Sequence, residues 1–206
     1  MITSCQCPPG ATLPDIPESN CPVSMGQIQK LIFMRKSAAA VFTTAKEAEK
    51  LATWTPLLTS SDATKVVVTP YVENPELNAG DPLTTGGGNA SLNGAEKVIG
   101  SGPGTFTGVF NEIGQKVAAA IKQLRCEDLS VAFITADGRI WLRELSADSY
   151  GFTPMVFRTF HVGDLTGGKL DELSSNSIQF SLPAGYSDSL TPIVPEFDAL
   201  TELVNK

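Results

Sequence analysis

The sequence predicts an α+β, mainly β fold: an antiparallel β-sandwich or barrel-like domain with one main packed helix, a long Gly-rich arm and extended termini. Three observations predict it. In the second half of the chain, Ile178, Phe180 and Leu182 alternate with Ser177, Gln179 and Ser181, the pattern of a strand with one buried face. In residues 107–125, Phe110, Ile113, Val117, Ile121 and Leu124 follow at spacings of 3, 4, 4 and 3, which places them on one helical face. Nine of the 18 glycines lie between positions 80 and 108. Loops of that length are uncommon in compact domains unless they are functional or disordered.

The first 25 residues form a Pro- and Cys-rich arm. Pro8, Pro9, Pro14, Pro17 and Pro22 favour extended chain over helix. Residues 28–35 (IQKLIFMR) suit a short strand, with helix as the alternative. Thr44-x-x-Glu47 makes a capping box. The helix it opens carries Ala48, Leu51, Trp54 and Leu58 at helical spacing, and Pro56 is expected to end or kink it near Thr55. Leu51 and Trp54 are core anchors on this reading. Residues 65–72 (KVVVTPYV) read as a short strand covered on both faces, with Pro70 marking an edge or a bulge.

The glycine stretch follows as an inserted arm over 80–106, an extended hairpin ordered by something outside its own domain. Its only charges between 80 and 108 are Asp81, Glu96 and Lys97, unlike a solvated disordered linker. After it comes the expected main helix, 107–125, with Gly114 as a hint of close packing on a sheet. Runs 129–135 and 139–145 flank Asp137-Gly138, a pair that favours a type I′ hairpin. Runs 155–162 and 177–182 make a second hairpin around a loop holding Gly163, Asp164, Gly167 and Gly168. The sandwich domain spans 26–182. A tail over 183–206, with Pro192 and Pro195, is either a surface-packed last turn or a second docking arm.

Composition narrows the function. Forty-two per cent of the 206 residues are apolar, enough for a real core, and only 18% are charged, against about 25% in typical domains. A surface short of charge is expected to meet other protein. The net charge of −7 and the scattered basic residues argue against a phosphate-binding surface, which needs clustered Lys and Arg. No apolar run approaches the roughly 18 residues of a membrane helix, and the first residues lack a secretory signal. The expectation is a soluble protein made in the cytoplasm, with no membrane partner.

No catalytic constellation emerges, and the chain is expected not to be an enzyme. His161 is the only histidine. It is placed mid-strand on the face of Met155, Phe157 and Thr159, so a structural role outweighs a catalytic one, and there is no Gly-x-Ser-x-Gly elbow to supply a triad nucleophile. Asp164 and Asp171 bracket a loop without calcium-loop spacing. Residues 98–105 (VIGSGPGT) imitate a phosphate loop before a helix, but the Walker lysine is missing and the glycines run G-x-G-x-G. Cys5, Cys7, Cys21 and Cys126 are the candidate ligands of a structural zinc. Their spacing is poor, and the alternative is free thiols, with Cys126 buried at a helix end. No other cofactor and no small-molecule substrate is expected.

A family resemblance adds to this reading. Residues 136–140 (ADGRI), the pattern Phe157-x-x-Phe160-x-Val162-x-Asp164, the alternating 178–182 and the helix expected over 107–125 resemble tail tube (major tail) proteins of long-tailed bacteriophages. More loosely, they resemble virion structural proteins of phages of gut Bacteroidetes. The resemblance covers about half the chain at the level of architecture and sequence texture. It implies a β-sandwich protomer, rings of six, stacking through a long loop and terminal arms, and a lumen that passes DNA without specific binding. The implied location is the virion, and the implied partners are copies of the chain and other virion proteins. The Cys-rich N-terminus departs from the family pattern. The arm residues expected at the oligomer interface are Thr84, Thr85, Gly86, Gly87, Gly88, Asn89, Leu92, Asn93 and Gly94. The alternatives are a phage connector, head-completion or capsid-decoration protein and, from another class, a zinc-stabilised binding module.

Overall fold

The computed structural model describes residues 24–38, 42–90, 92–145, 150–168, 170 and 173–205. Most of the expected N-terminal arm, with Cys5, Cys7 and Cys21, lies outside them, as does Asp171. In chain order the elements are β1 (Ile28–Arg35), α1 (Ala45–Ala48), α2 (Leu51–Thr59), β2 (Val67–Val68), β3 (Glu73–Asn78), β4 (Pro82–Gly86), β5 (Glu96–Ser101), β6 (Gly104–Asn111), α3 (Gln115–Gln123), β7 (Leu129–Thr135), β8 (Ile140–Glu144), β9 (Phe152–Thr153), β10 (Met155–Val156), β11 (Arg158–Val162), β12 (Ser175–Leu182), β13 (Leu190–Ile193) and α4 (Ala199–Glu202). The fold is mainly β with antiparallel sheets, as the alternating runs predict.

Two sheets form the sandwich. The first runs β13-β8-β7-β1-β2, with β10 beside β7 and β9 beside β8; the second runs β11-β12-β6-β3. Their facing sides share one core, in which Leu31, Phe33, Val131 and Phe133 meet Phe106, Phe110, Ile178 and Phe180. Phe180 is its centre: its ring lies 4.7 Å from those of Phe106 and Phe157 and 6.5 Å from that of Phe33. The outer face of the first sheet carries a second core, in which Ile32, Ala132, Ile134 and Leu142 meet Phe42, Trp54 and Leu58, together with Ala199 and Leu203 near the C-terminus. The first sheet is thus covered on both faces, and every residue of β7 is buried. This is why its sequence LSVAFIT shows little alternation.

Trp54 is a core anchor, as its spacing predicts, and its indole donates to Ala48 O at 2.8 Å; Leu51, expected beside it, is only partly buried, and Leu58 takes the second fully buried position. Two further local expectations need correction. The capping box does not form: Glu47 accepts from the Thr43 N–H at 2.7 Å, one residue before the N-cap, and Thr44 makes no side-chain cap bond. The helix is interrupted near Glu49–Lys50 rather than at Pro56, which sits inside α2. Proline is tolerated there because the carbonyl it deprives of a donor belongs to Ala52, which is exposed to water.

The main helix is the largest correction. Residues 104–111 are strand β6, and of the expected helix only 115–123 are α-helical, followed by a 3-10 turn over 124–126. Along β6 the inward positions are Gly104, Phe106, Gly108 and Phe110. Two of the four carry no side chain, so the period of two was invisible to a count of apolar residues. Both glycines are required by close approach: a β-carbon at Gly108 would overlap Val72 Cγ1, and one at Gly104 would lie 2.6 Å from the Tyr186 ring. Gly114 packs against no sheet. It precedes α3 as its N-cap, in open space.

The turn at Asp137-Gly138 is also not type I′. Only Gly138 has a positive φ, of 77°, and its N–H donates to Thr135 O at 2.9 Å. This is a three-residue loop with glycine at its last, left-handed position. The run 155–162 serves both sheets, β10 pairing with β7 and β11 with β12. Within β11 the register shifts between Arg158 and His161, and Thr159 adopts φ 53°. That bulge flips the alternation, so Thr159 and His161 are exposed instead of sharing the buried face of Met155 and Phe157. The tail expected over 183–206 is not an arm: β13 pairs with β8, and Ala199 and Leu203 are fully buried.

All four outer strands of the two large sheets carry a device that discourages further pairing. Strand β13 contains Pro192 and β3 contains Pro75. Strand β11 has its bulge at Thr159. On β2 the Asn205 side chain occupies the backbone of Val68, accepting from its N–H at 2.8 Å and donating to its carbonyl at 2.6 Å.

Candidate functional site

Strands β3 and β6 hold the arm at one end of the second sheet. Asn78 pairs with Thr105 there, and the chain between them projects as a separate two-stranded sheet, β4-β5. The arm narrows at its base, where Gly102 N–H donates to Asp81 O at 2.7 Å and Gly80 packs on the Gly102 carbonyl. Pro82 pairs with Ser101 and Gly86 with Glu96, with a register shift that leaves Ile99 as an extra residue on β5. At the tip, Gly86, Gly87 and Gly88 take φ values of 91°, 94° and 53°. Three successive positive values are accessible to glycine and strained for other residues. Short 3-10 turns at Gly88–Ala90 and Leu92–Gly94 complete the reversal.

The sequence-predicted arm residues are therefore brought together. Thr84, Thr85 and Gly86 lie on β4, and Gly87, Gly88, Asn89, Leu92, Asn93 and Gly94 form the tip. Sequence reasoning missed the apolar part. Leu83, Val98 and Ile99 are exposed at 51%, 62% and 41%. Val98-Ile99 carries the signal, an apolar pair in a polar stretch. Every residue of β4 and all of β5 except Gly100 are exposed. An isolated two-stranded hairpin is marginal in water, so this arm gains little from its own protomer.

At the opposite end of β6 the chain turns into α3. Between α3 and β2 lies a groove of about 370 Å³, lined by Val67, Val68, Pro70, Val117, Ala120 and Leu124 among others, with Lys116 also contributing. Helix α3 carries Lys116 and Lys122 and no acidic residue. Lys122 pairs with Asp164, whose carboxyl is held below its usual range chiefly by that hydrogen bond.

The remaining candidates do not converge. The phosphate-loop imitation at 98–105 leads from β5 into strand β6, so no helix N-terminus faces it. Cys126 is exposed in a 3-10 turn after α3, not buried, and its three expected zinc partners lie outside the described residues. Among the described residues no group of three or more His, Cys, Asp or Glu is placed to hold a metal. No helix among them is long and apolar enough to cross a membrane.

No family model matches the chain, and no curated protein matches it. Among solved structures it is similar to a chain of the virion of a native gene transfer agent (GTA) particle, at 13% identity and a TM-score of 0.31. The likeness covers 58% of this chain and 80% of that chain.

Proposed function

We propose that this protein is a structural virion component, without enzymatic activity, that self-assembles through its glycine-rich arm. In its specific form the reading is a phage tail tube of stacked rings of six, through which DNA passes without specific binding. The observation that carries it is the projecting β4-β5 hairpin, with Leu83, Val98 and Ile99 exposed on a segment that has almost no core of its own. Exposed apolar surface of this kind is normally covered by a partner. The net charge of −7 suits a conduit for a polyanion, since an acidic wall does not retain DNA. The partners on this reading are copies of the same chain and other virion proteins, with no cofactor and no small-molecule substrate.

The test is the state of assembly. Purified protein is expected to form rings or tubes visible by electron microscopy, and deletion of residues 86–93 is expected to spare the fold and abolish assembly. A strictly monomeric species at high concentration overturns the reading. Single rings that never stack would instead favour a connector, head-completion or decoration role.

A further inference from the structure

Strand β6 separates two complementary surfaces. At its Gly104 end stands the hairpin arm. At its Asn111 end begins α3, with the apolar groove between α3 and β2. Eight strand residues span roughly 26 Å at about 3.3 Å per residue, so the arm projects from the end away from its own groove. The two surfaces match in chemistry. The arm presents Leu83, Val98 and Ile99, and residues 80–106 carry Asp81 and Glu96 against Lys97 alone. The groove is walled by Val67, Val68, Pro70, Val117, Ala120 and Leu124, and its helix carries only positive charge. Lys116, exposed beside the groove, makes no ion pair among the described residues. The large sheets offer the arm no easy alternative, because their outer strands are blocked by Pro192, Pro75, the Thr159 bulge and Asn205.

We propose that the arm of one copy seats head to tail in the β2–α3 groove of a second copy. The inference rests on the assembly reading above and names the surface that receives the arm. Leu83, Val98 and Ile99 supply apolar area, and the arm's acidic residues face Lys116, the one lysine that lines the groove. The contact is heterologous, so each copy retains one free arm and one free groove until a ring closes or a filament grows.

Two variants test it. Val98→Asp disables the arm and leaves the groove, while Val117→Asp charges the groove and leaves the arm. Both positions are exposed, so the fold is expected to survive, which far-UV circular dichroism checks. The gentler Lys116→Glu serves as a second groove variant. By analytical ultracentrifugation, wild type is expected to form large species and each variant alone to lose them. An equimolar mixture of Val98→Asp and Val117→Asp is expected to form a dimer and nothing larger, because only one intact arm and one intact groove remain per pair. Absence of that dimer overturns the proposal. So does assembly of Val117→Asp and Lys116→Glu at wild-type level while Val98→Asp is monomeric, which leaves the assembly reading standing and the arm docked elsewhere. A monomeric wild type overturns both.

Discussion

Gly80 lies so close to the Gly102 carbonyl that a β-carbon at position 80 would overlap it. The contact is backbone to backbone, so no side-chain rotation relieves it. Gly80→Ala is expected to force the arm's base apart, at a local cost of about 1–3 kcal/mol, as overpacking does elsewhere. Hydrogen exchange is the measurement: amides in 83–86 and 96–101 should exchange roughly tenfold faster or more, while those of β7 stay protected. Unchanged arm protection would show that the base yields without cost.

Asn205 closes the β2 edge with two hydrogen bonds to Val68. Asn205→Ala leaves that N–H and carbonyl without those bonds, and is expected to lower stability by about 1–3 kcal/mol. Urea unfolding followed by circular dichroism checks this. A midpoint equal to wild type would mean that water replaces the side chain fully.

Phe180 stacks between the two sheets and is fully buried. Phe180→Ala removes a ring shared by three aromatic neighbours and should cost about 3–5 kcal/mol, with Phe180→Leu costing less. The same unfolding experiment ranks them, and equal losses for the two would contradict the central role given to this ring.

Asp62 has its pKa lowered to about 2, first by the Thr64 hydroxyl, then by the Ser60 hydroxyl and the Thr64 N–H. The folded-state pKa lies below the ordinary carboxyl value, so its contribution to stability is present above that value. It is lost as pH falls through about 2. Asp62→Ala should therefore lower the melting temperature near neutral pH and have a smaller effect below pH 2. A chemical-shift titration of Asp62 with an ordinary midpoint would remove the basis for this prediction.

The β-sandwich was legible where alternation is carried by real side chains, as in β12, and where spacing marks core anchors such as Trp54. It was not legible in β6, because Gly104 and Gly108 occupy inward positions, and a chance helical spacing from Phe110 to Leu124 filled the gap. The dipeptide Asp137-Gly138 marks a hairpin but not its type, since it fits both a two-residue loop and the end of a three-residue one. A single bulge at Thr159 was enough to turn His161 from the core face to solvent. The arm was legible from glycine and low charge alone. Its apolar edge was not, because whether Val98 and Ile99 are covered depends on where the strand lies, and not on their identity.

The run from Met155 to Val162 crosses from one large sheet to the other within a single residue, Phe157, whose side chain is buried between them. Such a segment is a mechanical brace. Sliding one layer over the other would have to break pairing with β7 on one side or with β12 on the other. A force applied at the arm, which is rooted in β3 and β6 of the second sheet, is thereby passed to the first sheet through covalent bonds as well as through the core. A protomer braced in this way transmits load along the molecule as a unit, which is what a chain of copies gripping one another end to end would demand of each link.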